Sequence, residues 1–93
     1  MPITRYMVVE HFKNNDALAV YKRFRDRGRM APDGLRYVAS WVDANLDCCY
    51  QLMETDDPLL LETWMANWKD LIDFEVHSVL TSQEAVEKIG LGG

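Results

Sequence analysis

Two histidines, His11 and His77, are the side chains of this 93-residue sequence that ordinarily titrate near neutrality. His11 closes a strand-like first segment, and His77 lies in the middle of the last strand-like segment. Strand parity places His11, Glu75 and His77 on one face as a polar strip. Such a strip can act as general acid and base, or can hydrogen-bond a ligand. The other reading is two unrelated histidines, one at the surface and one satisfied by a neighbour. Trp41 is a flat aromatic on a strand able to line a cavity, with Tyr37 on the same parity; a core or dimer contact is the alternative. The candidate ligand-binding residues are therefore His77, Glu75, His11 and Trp41. Glu10, Arg36, Gln51 and Glu54 are strand-borne polar groups that face either a cavity or solvent.

Other chemistries find less support. Two histidines and a carboxylate could in principle hold zinc or iron, but two His one helical turn apart are absent, and no metal is expected. No haem-attachment motif, nucleophile elbow, Walker loop or dinucleotide fingerprint occurs, so no cofactor is expected. Cys48 and Cys49 are adjacent, point to opposite faces of a strand and have no nearby cation to activate a thiolate. They read as reduced, buried small hydrophobes.

The net charge of -5 argues against nucleic acid, whose phosphates are bound by Lys and Arg. Its distribution is uneven. Through Arg36 the chain carries eight bases against four acids; the rest carries eleven acids against Lys69 and Lys88. Five bases (Lys22, Arg23, Arg25, Arg27 and Arg29) cluster at a helix end and in the loop beyond it. They form an anion pocket, a patch for an acidic partner surface, or a solvated face with cations near a helix C-terminus.

The elements that must position these groups follow from periodicity and punctuation. Residues 3–12 are rich in β-branched and aromatic types and read as a strand. Lys13-Asn14-Asn15 is turn chemistry, and Asp16 caps a helix whose stripe is Ala17, Val20, Tyr21 and Phe24. Gly28 suits a left-handed stop. Leu35–Val42 and Cys48–Thr55 read as strands joined by a polar connection of hairpin length. Asp56-Asp57-Pro58 opens a second helix with the stripe Leu60, Leu61, Trp64, Trp68 and Leu71. Ile72–Leu80 returns to strand. Thr81 and Glu84 form a capping box for a short last helix, Ser82–Ile89, ahead of a frayed end from Gly90 onward.

The order β-α-β-β-α-β plus a terminal helix is that of an α+β, ferredoxin-like plait, expected as one domain over residues 1–93. Hydrophobic residues make up 48% of the chain, yet no apolar run is long enough to span a bilayer, so no membrane is expected. The first residues lack the pattern of a signal peptide, which sets a cytoplasmic expectation. The strands carry apolar residues on both parities: Tyr6, Val8 and Phe12 against Met7 and Val9, and Tyr50 and Leu52 against Met53. A sheet wetted on one side alternates instead. The face away from the helices is therefore expected to pack on a second copy.

The segments GRMAPDGLRYVASWVDANLDCCYQLMETDD and WKDLIDFEVHSVLTSQEA resemble a bacterial family of small proteins of unknown function, from Tyr6 to about Ala85. That family is similar to the dimeric α+β barrel superfamily, in which two ferredoxin-like protomers join sheets around a cavity. The resemblance implies a homodimer and brings no catalytic residues, since related chemistries range from cofactor-free oxygenation to isomerisation. Three functions follow as expectations. The first is small-molecule binding in a barrel cavity between subunits. The others are a cofactor-independent oxygenase- or isomerase-type enzyme using a cavity His or Glu, and a structural dimerisation module.

Overall fold

A computed structural model describes residues 3–90. The chain runs β1 (Thr4–Phe12), α1 (Ala17–Arg27), β2 (Arg36–Val42), β3 (Cys48–Thr55), α2 (Leu59–Ala66), β4 (Ile72–Val79) and α3 (Ser82–Lys88). A single 3-10 turn, Lys13–Asn15, joins β1 to α1. Asn14 and Asn15 both have positive φ there, a conformation asparagine tolerates better than most residues. The sheet order is β2-β3-β1-β4, with every pair antiparallel. This α+β arrangement of a four-stranded open sheet with three helices fits a ferredoxin-like plait.

The expected signals act close to where they stand in the sequence. Asp16 accepts a hydrogen bond from the Ala19 amide at 3.1 Å, capping α1. Gly28 ends that helix with φ 71° and ψ -163°. It has the positive φ expected of a stop residue, but its ψ is extended rather than left-handed helical, a combination open essentially to glycine. Asp57 accepts from the Leu59 amide at 3.1 Å, and Pro58 already has helical angles. Both halves of the Thr81–Glu84 capping box form. The last helix stops at Lys88, and Leu91, Gly92 and Gly93 of the expected frayed end lie outside the described residues.

α1 and α2 cover one face of the sheet. Val20, Leu61 and Trp64 from the helices meet Val8, Phe12, Met53 and Ile72 from the strands in one buried cluster. Their rings pack edge to face where Phe12 meets Tyr21 and tilted where Trp64 meets Phe74, each with centroids 6.1 Å apart. Neither α1 nor α2 contributes to the opposite face, where the alternate strand residues stand. There Glu54 is bracketed by two arginines: Arg5 Nε lies 3.2 Å from its Oε2, and Arg36 Nε donates to its Oε1 at 2.9 Å. Arg5 also reaches Glu84 at 2.6 Å, tying the start of α3 to this side.

One parity expectation is corrected. A β-bulge between Tyr37 and Ala39 shifts the β2–β3 register, so Tyr37 pairs with Met53 and Trp41 with Tyr50. The extra residue turns Tyr37 to the helix side while Trp41 stays on the open face. Tyr37 and Trp41 therefore do not share a face.

Candidate functional site

On the helix side, alternation along β1 points Val8, Glu10 and Phe12 inward, and along β3 it points Cys49, Gln51 and Met53 the same way. Two polar side chains thus sit at core positions: Glu10 and Gln51 are each only 5% exposed. Gln51 Nε2 donates to Glu10 Oε2, and Arg29 Nε donates to Gln51 Oε1, making a chain Arg29–Gln51–Glu10. Glu10 Oε1 has no hydrogen-bond donor among the described residues, nor is it sealed away as an orphaned buried atom. It opens onto a cleft.

The cleft has a volume of about 240 Å³ and lies between α1, the helix face of β1–β3 and the aromatic residues of the α2 region. Phe12, Tyr21, Phe24, Trp64 and Trp68 supply the rings of its apolar wall; Glu10, Gln51, Arg29 and Ser40 supply its polar groups. Arg29 comes from the loop after α1 and is held at both ends. Its backbone oxygen accepts from Trp64 Nε1 at 3.0 Å and from Trp68 Nε1 at 3.1 Å. Its guanidinium carbon sits 3.7 Å above the Tyr37 ring and 5.1 Å from that of Phe24. The bulge that moved Tyr37 is what brings its ring under Arg29.

Burial dominates the electrostatics. It pushes the Glu10 carboxyl from 4.5 up to about 7, against the opposing pull of the Gln51 hydrogen bond and the Arg29 charge. Burial, with the Glu10 charge next, pushes the Cys49 thiol up to about 12. Burial also raises the Tyr21 phenol. Cys49 and Tyr21 stay neutral near pH 7, and Glu10 is the cleft group poised to gain or lose a proton there. A carboxyl that titrates near neutrality, with one free oxygen in an aromatic cleft, can accept or donate a proton to a bound molecule.

The residues singled out from the sequence lie on the other face. His77 Nε2 is 2.6 Å from Glu75 Oε2, and His11 Nε2 is 3.4 Å from Glu75 Oε1. The three side chains do form one strip, with each a little over half exposed. Hydrogen bonds to His77 and then His11 lower the Glu75 carboxyl from its ordinary value. Trp41 stands in line with Tyr50, Val9 and Glu75 across the sheet and is 56% exposed. His11, Glu75 and His77 are brought together, whereas Trp41 stands on the opposite edge strand of the same open face. Of the other strand-borne polar groups, Glu10 and Gln51 face the cleft while Arg36 and Glu54 pair on the open face.

The sequence leaves the facing of Glu10 and Gln51 open, and in it Arg29 stands only as part of a basic cluster. The available signal was parity. Glu10 falls between Val8 and Phe12, and Gln51 between Cys49 and Met53, where an apolar residue belongs. The cluster itself divides: Arg23 pairs through both guanidinium nitrogens with Asp70 at 2.6 Å, Arg25 pairs with Asp26, and Arg29 turns inward. Cys48 and Cys49 are free and buried. Among the described residues no three His, Cys, Asp or Glu side chains converge as metal ligands, and no helix is long and apolar enough to cross a membrane.

Compared with known proteins, residues 4–91 match a family model described as Domain of unknown function (DUF3303). No curated protein and no solved structure matches the chain.

Proposed function

We propose that this chain, which belongs to the family Domain of unknown function (DUF3303), binds a small aromatic molecule in the helix-side cleft, with Glu10 as its proton-exchanging group. The observation that carries this reading is the Arg29–Gln51–Glu10 chain buried in an aromatic wall. A cleft made only to be filled would have no use for three linked polar groups at core positions, whose burial opposes folding unless they are satisfied. A mostly apolar concavity with a few convergent polar groups is the usual form of a ligand site. Its volume of about 240 Å³ exceeds the roughly 150 Å³ that suffices for benzene, so one or two fused rings fit. Any proton transfer to a bound molecule would run through Glu10 Oε1, not His77.

Titration of naphthalene and related neutral aromatics against the fluorescence of Trp64 and Trp68 tests the reading. Saturable quenching is expected, and it should vanish in Val42→Trp, which places a bulky ring in the cleft. Unchanged fluorescence with every aromatic, or equal binding in Val42→Trp, would reject the cleft as a site.

A second reading concerns assembly and is favoured by the exposure of Trp41 and Tyr50 beside Val9 in one row of the open face. Two copies pairing through this face would bury the row and form the dimeric α+β barrel that the sequence resembles. His11, Glu75, His77 and Trp41 would then line the space between the sheets, as ligand contacts or as polar groups satisfying one another. This supports a homodimer whose ligand clefts lie outside the subunit joint.

A further inference from the structure

We infer that the ligand of the cleft carries a carboxylate, held by the terminal guanidinium nitrogens of Arg29, with its aromatic body among Phe12, Tyr21, Phe24 and Trp64. The inference rests on the cleft being a binding site and adds the chemical class of its occupant. Arg5, Arg23, Arg25 and Arg36 each meet a carboxylate. Arg29 is half-buried, and among the described residues it meets none; its one side-chain hydrogen bond goes from Nε to the neutral Gln51 amide. Both terminal nitrogens are left without a protein acceptor there. A partly desolvated guanidinium with four free N–H donors calls for an anion.

The residue is also built for geometry and not only for charge. Trp64 and Trp68 fix its backbone oxygen, Gln51 fixes Nε, and Tyr37 at 3.7 Å fixes the plane of the guanidinium. A guanidinium held in plane presents its paired N–H groups to a carboxylate in the fork geometry that Arg offers and Lys does not. The nearby carboxyl does not oppose an anion at about pH 6 or below, because Glu10 is then largely protonated. The other titratable groups around it, Cys49 and Tyr21, remain neutral, and Arg29 is the only cation among the residues lining the cleft. Ionisation of Glu10 would weaken binding, so affinity for an anion should fall from about pH 6 to about pH 8.

The test compares naphthoate with naphthamide, which share a ring system and differ in charge, by Trp64 and Trp68 fluorescence in a Trp41→Phe background. Naphthoate is expected to bind roughly tenfold or more tightly than naphthamide at about pH 6, with the preference shrinking at about pH 8. Arg29→Gln should bring naphthoate down to the affinity of naphthamide, while Arg29→Lys retains part of the preference. Equal binding of acid and amide overturns the carboxylate inference but leaves the cleft as an aromatic site, as does a preference that survives in Arg29→Gln. Binding of neither probe overturns both. The acid–amide comparison on a chain with Arg29 intact keeps the inference falsifiable if Arg29→Gln fails to fold.

Discussion

Glu10→Gln removes the charge change from the cleft while keeping an oxygen to which Gln51 Nε2 can donate. In the folded chain burial raises the Glu10 carboxyl from 4.5 to about 7. An acid shifted this way binds more protons folded than unfolded between those two values, so its contribution to stability is whole below about pH 4.5 and is lost as pH rises to about 7. Each tenfold change in the proton equilibrium is worth ~1.4 kcal/mol, which makes the full loss about 3 kcal/mol. With Glu10 only 5% exposed, solvent screening takes little from that figure. The glutamine variant has no carboxyl to ionise and escapes the loss. Urea unfolding of both proteins, followed by tryptophan fluorescence from about pH 5 to about pH 8, measures the difference. Titrations common to both chains cancel in it. The variant should gain on the parent from about pH 5 to about pH 7, by up to about 3 kcal/mol, and level off above that. A difference that does not change with pH would refute the claim that Glu10 is buried and uncharged-leaning in the folded state.

Trp64→Ala should cost roughly 3–5 kcal/mol, since Trp64 is 1% exposed and its removal leaves a core cavity and one fewer donor on the Arg29 carbonyl. Chemical denaturation measures this, and a loss below about 1 kcal/mol would contradict its place in the core. Arg25→Ala and Arg27→Ala should leave the melting temperature nearly unchanged, because both side chains are exposed and surface charges contribute roughly 0–1 kcal/mol. A large drop in thermal melting would show that they bridge to another chain. Sedimentation at micromolar concentration should find a dimer that Trp41→Glu converts to a folded monomer. A parent protein that sediments as a monomer would rule out pairing through the open face.

Much of the fold was legible because it rests on local chemistry. Asp16, Asp57-Pro58 and the Thr81–Glu84 box act on amides within three residues of themselves, and helical periodicity together with β-branched and aromatic enrichment separates helix from strand. The strip His11–Glu75–His77 could also be read, since parity is a property of each strand and the plait makes β1 and β4 neighbours. Parity fails where an extra residue enters a strand. The bulge in β2 is set by the pairing of that strand with β3, and it sends Tyr37 to the helix side under Arg29. The cleft likewise depends on long-range contacts: Arg29 meets Gln51, Trp64 and Trp68, which are 22, 35 and 39 residues away in the chain. Composition and spacing determine which residues are charged, apolar or able to cap. Only the packing of α1 and α2 on the sheet decides which carboxyl loses its water, and desolvation is what makes Glu10, and not an exposed histidine, the group at the centre of the site.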